Sequence, residues 1–368
     1  MRKIYILAAS ALMTFGLASC DIDNVENFGE LSSGNFPASD VDGEATLAGV
    51  YQNLNQTHAT PQQSFLYNAC LASDDQLGGG GDNDKLMQAL DLILNNGADM
   101  TNQFYVDRYA GINRANMLIS ALPNTSMSEE IKAQYLGEAL FLRAFYYYEL
   151  SSMYGNVPLR TAAGGETMQQ GNIEDIWKQI LQDLRDAIEM MPAKKSTSAG
   201  HVDKYTAEAM LGRAWLFYTG FFCNGSSIAD LTSTNYSPLT SVELLDGTTL
   251  TKQDVIAYID DCVNNSGYSL VPDFRNLWAY TNRLTVEDYD YTKGQGLKWV
   301  EDDSADNPES LFAIKFNKFA SWSTTIGYAN GIALHFGVRG GSTDAKFFPF
   351  GYGWGAGPVA PNLVKDWE

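Results

Sequence analysis

The chain has 368 residues, of which 44 are acidic and 24 are basic, so its formal net charge is −20. Apolar residues make up 45% of the sequence, which excludes wholesale disorder. The acidity argues against a nucleic-acid partner and against adhesion to anionic lipid, because phosphate would be repelled over most of the surface. Seven Trp and twenty Tyr residues point instead to uncharged ligands.

The N-terminus has the features of an export signal. Met1-Arg2-Lys3 is positively charged and precedes an apolar run over 4–17, which is shorter than the roughly 20 residues that a bilayer crossing needs. The run ends at Leu17-Ala18-Ser19-Cys20, which resembles a bacterial lipobox. We therefore predict a signal peptide over 1–19, lipid attachment at Cys20 and a flexible tether over 20–39. An ordinary secretory signal with a chance cysteine is the alternative.

Apolar residues at three- and four-residue spacing predict a series of helices along the first 265 residues. A Ser126-Met127-Ser128-Glu129 capping pattern opens the third of them, and Gly155 supplies its C-terminal stop. In chain order the predicted helices cover 40–56, 99–122, 126–154, 172–191, 204–222 and 251–264.

Small residues at fixed places on these helices would let neighbouring backbones approach closely. They are Ala139, Ala144, Ala207, Gly212 and Ala214. Together with the paired helices they favour a mostly α, tetratricopeptide-like array with a few short strands. The 34-residue repeat signature is not clean, so a non-repetitive helical bundle is the alternative.

After about residue 267 the periodicity fades and glycine and aromatic residues become frequent. A short strand is predicted over 310–316. Most of the remaining aromatic residues there fall in irregular segments, and loops on a rigid scaffold are where binding residues commonly lie.

The sequence offers little support for a catalytic site. His58, His201 and His335 fit no metal or triad pattern, and with 44 acidic residues carboxylate pairs are inevitable. We therefore predict that the protein is not an enzyme.

The cysteines and an acidic loop give no clear metal site either. Cys70, Cys223 and Cys262 lack zinc spacing, and buried thiols are favoured over the one disulfide that export would allow. The 82–84 segment offers oxygen ligands for calcium, but a solvated loop is the favoured interpretation, and no cofactor or metal is predicted.

Sugar binding is the better-supported activity, because pyranose rings stack on Trp and Tyr while Asp and Asn bind hydroxyl groups. The candidate ligand-binding residues are Asp74, Asp75, Asn83, Trp278, Tyr280 and Trp322. For each aromatic residue, core packing is the competing interpretation. Trp177 and Trp215 lie on helix faces and are assigned to the core.

One stretch of the sequence resembles a known family. Residues 138–150, EALFLRAFYYYEL, followed by MYGNVPL at 153–159, resemble the hallmark of the SusD/RagB family of Bacteroidetes surface lipoproteins. The lipobox at Cys20, Gly49-Val50-Tyr51, Arg114-Ala115-Asn116 and ESLFAI at 309–314 follow in the family's order. The likeness extends over the whole mature chain.

The resemblance implies a lipid-anchored outer-membrane protein facing the cell exterior, with a single SusD-like domain over 40–368. Its tetratricopeptide-like part would cover about 40–266 and its loop-rich part about 267–368. It also implies an oligosaccharide ligand and a SusC-like, TonB-dependent transporter as partner. Family members run on past the segment that resembles 361–367, so we expect a C-terminal portion to be missing.

Of the residues named above, the resemblance assigns a role to Cys20 alone, since the other matched motifs belong to the scaffold. Three alternatives stay open: a peptide-capturing member of the family, an anchored glycoside hydrolase, and a repeat scaffold that binds only protein partners.

Overall fold

A computed structural model describes residues 36–37, 39–59, 64–79, 87, 101–165, 169–195, 200–221, 237–302, 307–316, 330–337, 339 and 353–367. The chain divides between Phe36 and Pro37 into two units. Apart from Phe36, the first unit lies outside the described residues, and the account below concerns the second. The predicted signal peptide, Cys20 and nearly all of the tether therefore lie outside the description.

Helices dominate the described part of the chain. They are α1 (Asp40–Ala59), α2 (Phe65–Leu71), α3 (Asn102–Ala121), α4 (Glu129–Tyr154), α5 (Ile173–Met190), α6 (Lys204–Leu216), α7 (Lys252–Asn265), α8 (Gly331–Phe336) and α9 (Pro361–Trp367). The six long helices agree with the prediction to within a few residues at most ends. The chain departs from it after α6, where Phe217–Phe221 widens into a π-helical turn. At α4 the N-cap is Ser128 and not Ser126, because the Ser128 hydroxyl accepts the Ile131 backbone N–H.

The long helices pack on one another in series. Helix α3 lies between α1 and α4, and α5, α6 and α7 each pack against the helix before them. This arrangement confirms the prediction of a mostly helical, tetratricopeptide-like fold, in which each unit buries its apolar face on its neighbour.

Glycine allows the closest of these helix contacts. A Cβ at Gly137 of α4 would lie 2.4 Å from the Met191 side chain, and one at Gly212 of α6 would lie 2.6 Å from Ile259 of α7. A side chain at either position would push the helices apart. The prediction of close approach at Gly212 is thus confirmed.

The hallmark stretch holds the exit from α4 in place. Gly155 ends the helix at φ +69°, and the backbone then passes under side chains of the array. The Tyr109 hydroxyl donates to Pro158 O at 2.6 Å, and the Tyr147 hydroxyl donates to Arg160 O at 3.0 Å. These contacts explain why the motif is part of the scaffold.

The chain after α6 is less regular, as expected. Strands β1 (Ser241–Glu243) and β2 (Thr249–Thr251) form an antiparallel hairpin that leads into α7. Two 3₁₀ turns, Phe274–Leu277 and Ala279–Thr281, lie within the turn-rich segment 267–302. Helices α2, α8 and α9 are short and were missed by the sequence pattern.

The predicted strand over 310–316 is wrong. The segment is extended but is not paired with a strand. It lies across the helical array: Thr206 of α6 donates its hydroxyl proton to Leu311 O at 2.8 Å, and Asn55 of α1 donates an amide proton to Lys315 O at 2.7 Å. The Phe312 ring packs edge-on against Phe141. Side-chain donors thus satisfy backbone carbonyls that a sheet would otherwise satisfy.

Candidate functional site

Exposed aromatic side chains cluster on the turn-rich segment 267–302. Tyr280 is partly buried, while the others are exposed by 68% at Phe274, 53% at Trp278, 39% at Tyr289 and 60% at Tyr291. The Tyr289 and Tyr291 rings lie nearly parallel with centroids 5.3 Å apart. We call these five side chains the aromatic surface. A group of exposed aromatic rings is typical of a binding surface, because rings that face water contribute little to the stability of the fold.

Hydrogen bonds fix the segment that carries the aromatic surface. Asn276 accepts the Val300 N–H on its backbone carbonyl at 3.0 Å and the Lys298 N–H on its side chain at 2.8 Å. The buried carboxylate of Asp302 accepts the Arg283 N–H at 2.6 Å and pairs with its guanidinium at 2.9 Å. Polar contacts of this kind, rather than an apolar stripe, hold the segment, which explains its lack of helical periodicity.

The candidate ligand residues fall in two separate places. Trp278 and Tyr280 both belong to the aromatic surface, where Trp278 contacts the Phe274 ring and Tyr280 contacts the Tyr291 ring. Asp74 and Asp75 are exposed in a bend after α2, and their backbone carbonyls accept from Asn362 and Ala360. Their described contacts therefore tie them to the start of α9 rather than to Trp278.

Asn83 and Trp322 lie outside the described residues, as do Cys20, Cys223 and the 82–84 segment. The assignment of all six candidates to one ligand site stays a prediction. The assignment of Trp177 and Trp215 to the core is confirmed, since both side chains are almost completely buried.

A concave feature lies where segment 310–316 crosses the array. It has a volume of about 180 Å³. Its walls come from α1, from the residues before α6 and from the crossing segment: Ala48, Tyr51, Leu54, Asn55, Gly200, His201, Phe312, Ala313, Ile314 and Lys315. We call this feature the groove.

A buried carboxylate lies beneath the groove. Glu138 of α4 is 1% exposed and accepts hydrogen bonds from the Tyr51 hydroxyl, from His201 Nδ1 at 2.9 Å and from Gln134 Nε2 at 2.8 Å. Tyr51 also accepts the Val202 N–H at 2.9 Å. Three donors converge on one carboxylate, so its charge is compensated without exposure to water.

This arrangement shifts the ionisation of two groove residues. The hydrogen bond to Glu138 raises the pKa of His201, with further help from the charges of Glu138 and Glu44, while partial burial opposes the rise. Burial, followed by the nearby charge of Glu138, raises the pKa of Tyr51 well above its usual value. Tyr51 therefore stays neutral, and His201 gains a proton more readily than a free histidine.

Metal and thiol chemistry have little basis in the described part of the chain. No three His, Cys, Asp or Glu side chains converge there in a way suited to a metal ion. Cys70 and Cys262 are free thiols, and burial raises the pKa of Cys262 to about 11. Among the described residues, no helix has both the length and the apolar character that a bilayer crossing requires.

The fold combines a serial array of helices with an irregular second part that exposes aromatic rings. A family model described as SusD-like, "Starch-binding associating with outer membrane", matches residues 28–216, just over half of the chain. The chain therefore belongs to the SusD-like family.

Known proteins of similar sequence and fold agree with this assignment. SusD-like protein P2 of Formosa agariphila is 23% identical over the whole chain, which spans 62% of that relative's length. A laminarin-binding SusD-like protein superposes with a TM-score of 0.65 at 22% identity, over 89% of this chain and 64% of that one. Surface glycan-binding protein A of Bacteroides thetaiotaomicron, solved with laminarihexaose, gives 0.59 at 18% identity, over 90% and 61%. At these identities the likeness to the solved structures concerns the fold.

Sequence reasoning did not find the groove. Its residues come from three stretches separated by more than a hundred positions. Tyr51 belongs to a matched motif that was assigned to the scaffold, and His201 stands in no recognisable motif. A sequence signal did exist: Glu138 is a charged residue within the apolar stretch 138–142 of a buried helix, and such a residue requires partners.

Proposed function

We propose that this protein is a surface lipoprotein that binds oligosaccharides and passes them to a TonB-dependent transporter of the outer membrane. Its anchor would be the lipidated Cys20, and its partner a SusC-like transporter. Membership in the SusD-like family, whose description names starch binding and the outer membrane, supports the class of function. The two related structures with glycan ligands in their titles favour a carbohydrate over a peptide.

The observation that carries the proposal is the aromatic surface. Exposed rings at Trp278 and Tyr291 offer flat apolar faces against which the C–H face of a pyranose packs. The hydrogen bonds around Asn276 and Asp302 hold the backbone beneath these rings before any ligand arrives. A rigid platform reduces the entropy lost on binding.

A binding role without catalysis agrees with the described carboxyl groups. Glycoside hydrolysis needs a protonated acid that reaches the glycosidic oxygen. Glu208 has its pKa raised to about 7 by burial, but the residue is fully buried on α6.

Titration calorimetry with laminarihexaose and a panel of other oligosaccharides tests this proposal. Trp278→Ala is expected to weaken the binding of a glycan ligand at least tenfold, about 1.4 kcal/mol, because the stacking face is lost. Trp367→Ala is the matched control, since Trp367 is 75% exposed on α9, outside the aromatic surface. Equal affinities for wild type and Trp278→Ala, or binding of peptides alone, would contradict the proposal. Release of shorter sugars during the titration would favour the hydrolase.

A further inference from the structure

Two basic side chains, Lys315 and His201, line the groove of this strongly acidic chain. Lys315 is exposed, and its ammonium group has no ion pair among the described residues. Its side-chain stem lies against Gly200, since a Cβ at that glycine would be 3.2 Å from Lys315 Cγ. Gly200 directly precedes His201, and both Lys315 and His201 line the groove.

The buried carboxylate fixes the orientation of His201. Glu138 accepts at 2.9 Å from Nδ1, so Nδ1 carries the proton and the other ring nitrogen, Nε2, is left for a ligand. No protein partner of Nε2 is found in the described part of the chain. Nε2 accepts a hydrogen bond when the ring is neutral and donates one when it is charged. The charged form is therefore the one that favours an anionic ligand.

The remaining walls suit a sugar ring. The rings of Tyr51 and Phe312 and the Leu54 side chain are apolar surfaces, and the Tyr51 hydroxyl is already engaged with Glu138. Asn55 donates its amide proton to Lys315 O, which leaves its side-chain oxygen as an acceptor for a hydroxyl. A volume of about 180 Å³ is below the roughly 300–1,000 Å³ of drug-sized ligand sites, so the groove suits a single ring.

We propose that the groove is a binding site for a hexuronate, a single pyranose ring that bears a carboxylate. The carboxylate lies between Lys315 and His201, and the ring packs against Tyr51 and Phe312. A neutral hexose lacks the charge for the two basic side chains, and a simple carboxylate lacks the ring for the apolar walls. The site is separate from the aromatic surface and does not depend on the proposed function.

The proposal has a pH signature. Four ionisable groups face His201 from the elements packed on it: Glu138 of α4, Glu44 and Tyr51 of α1, and Lys315 of the crossing segment. Glu138 and Glu44 favour the imidazolium, the neutral Tyr51 does not oppose it, and the like charge of Lys315 disfavours it. Affinity for a hexuronate therefore rises as pH falls through the pKa of His201, which lies above its ordinary value.

Titration of the purified protein with D-glucuronate, D-glucose and acetate at pH 6 and pH 8 tests the site. We expect saturable 1:1 binding of glucuronate, stronger at pH 6, with glucose and acetate at least tenfold weaker. Lys315→Ala is expected to weaken glucuronate binding at least tenfold, and Lys252→Ala, an exposed lysine on α7, to leave it unchanged. His201→Gln is expected to abolish the pH dependence. Ala48→Phe, which fills the groove from an exposed helical position, is expected to abolish binding even if His201→Gln does not fold.

Several results would overturn the proposal. Absence of saturable glucuronate binding to the wild type excludes the site. Glucose binding equal to that of glucuronate removes the role of charge, and acetate binding equal to that of glucuronate removes the role of the ring. Unchanged glucuronate affinity in Lys315→Ala or in Ala48→Phe would place the ligand elsewhere. A loss of laminarihexaose binding in Trp278→Ala alone concerns the aromatic surface and leaves the groove assignment intact.

Discussion

Arg143 of α4 and Asp183 of α5 form a bidentate ion pair inside the helical array. The guanidinium Nε and Nη2 lie 2.8 and 2.6 Å from the two carboxylate oxygens, and both side chains are almost completely buried. Arg143 Nη1 also donates to Asn116 Oδ1 of α3 at 2.8 Å. One arginine thus connects three consecutive helices, and its planar fork matches the carboxylate in a way that lysine cannot.

Asp183→Asn is expected to lower the free energy of unfolding by about 3–5 kcal/mol, because it leaves a buried guanidinium without its counter-charge. Urea unfolding followed by circular dichroism measures the loss. Glu174→Gln is the control, since Glu174 forms an exposed pair with Lys178 and is expected to change stability by less than about 1 kcal/mol. Equal effects of the two substitutions would contradict a structural role for the buried pair.

Glu208 is expected to make stability depend on pH. Burial raises its pKa to about 7 from an ordinary value of 4.5, so the folded state holds a proton that the unfolded chain releases. The contribution of Glu208 to the stability of the folded state is fully present below about pH 4.5 and is lost as pH rises through 7. At pH 8, Glu208→Gln is expected to raise the free energy of unfolding by about 2 kcal/mol over that of wild type, as measured by urea unfolding. At pH 5 little gain is expected.

Asp260→Asn on α7 is the control, because Asp260 is an exposed acid on the helix that packs against α6. Stability curves for Glu208→Gln and wild type that stay parallel from pH 5 to pH 8 would show that Glu208 does not titrate in this range.

Gly155 and Gly49 are expected to respond to alanine in opposite directions. Both have open space where a Cβ would lie, so the backbone alone decides. Gly155 has φ +69° and ψ −112°, where alanine is strained, and Gly155→Ala should lower stability by about 1–3 kcal/mol. Gly49 lies inside α1, where Gly49→Ala should raise stability by about 0.5–1 kcal/mol. Thermal unfolding of both variants measures the two signs, and a shift of the same sign in both would refute the argument.

The proposed lipid anchor can be tested independently of the fold. Cys20→Ala should give protein that no longer incorporates radiolabelled palmitate and that leaves the membrane fraction, because the thiol that would be acylated is gone. Cys70→Ala is the matched control, since Cys70 is a free thiol on α2. Continued labelling of Cys20→Ala would disprove the lipobox assignment.

The sequence predicted the helical array well because helical periodicity is a local signal. The apolar face of α5 is continuous from Ile176 to Ile188, and the polar caps at Asn172 and Thr251 mark helix starts directly. Segment 310–316 contains a short apolar run, which predicts a strand whether its backbone meets another strand or helix side chains. Only the position of Asn55 and Thr206, far away in sequence, distinguishes the two.

The candidate site was less predictable than the helical array, because it does not depend on a local periodic pattern. Trp278 and Tyr280 were picked out by residue type, and their exposure follows from turns that have no periodic pattern. The contacts of Trp278 with Phe274 and of Tyr280 with Tyr291 lie on a segment held by polar contacts such as that between Asn276 and Lys298, which composition does not reveal.

The groove also has a consequence for how the chain folds. Contacts between neighbouring helices such as α4 and α5 are short in sequence and form early, whereas the docking of Lys315 onto Asn55 closes a loop of 260 residues. We therefore expect the groove to form after the helical array that supports it. An occupant of the groove would bind only molecules that have finished this step, and it would slow their unfolding without changing the rate at which the helices assemble.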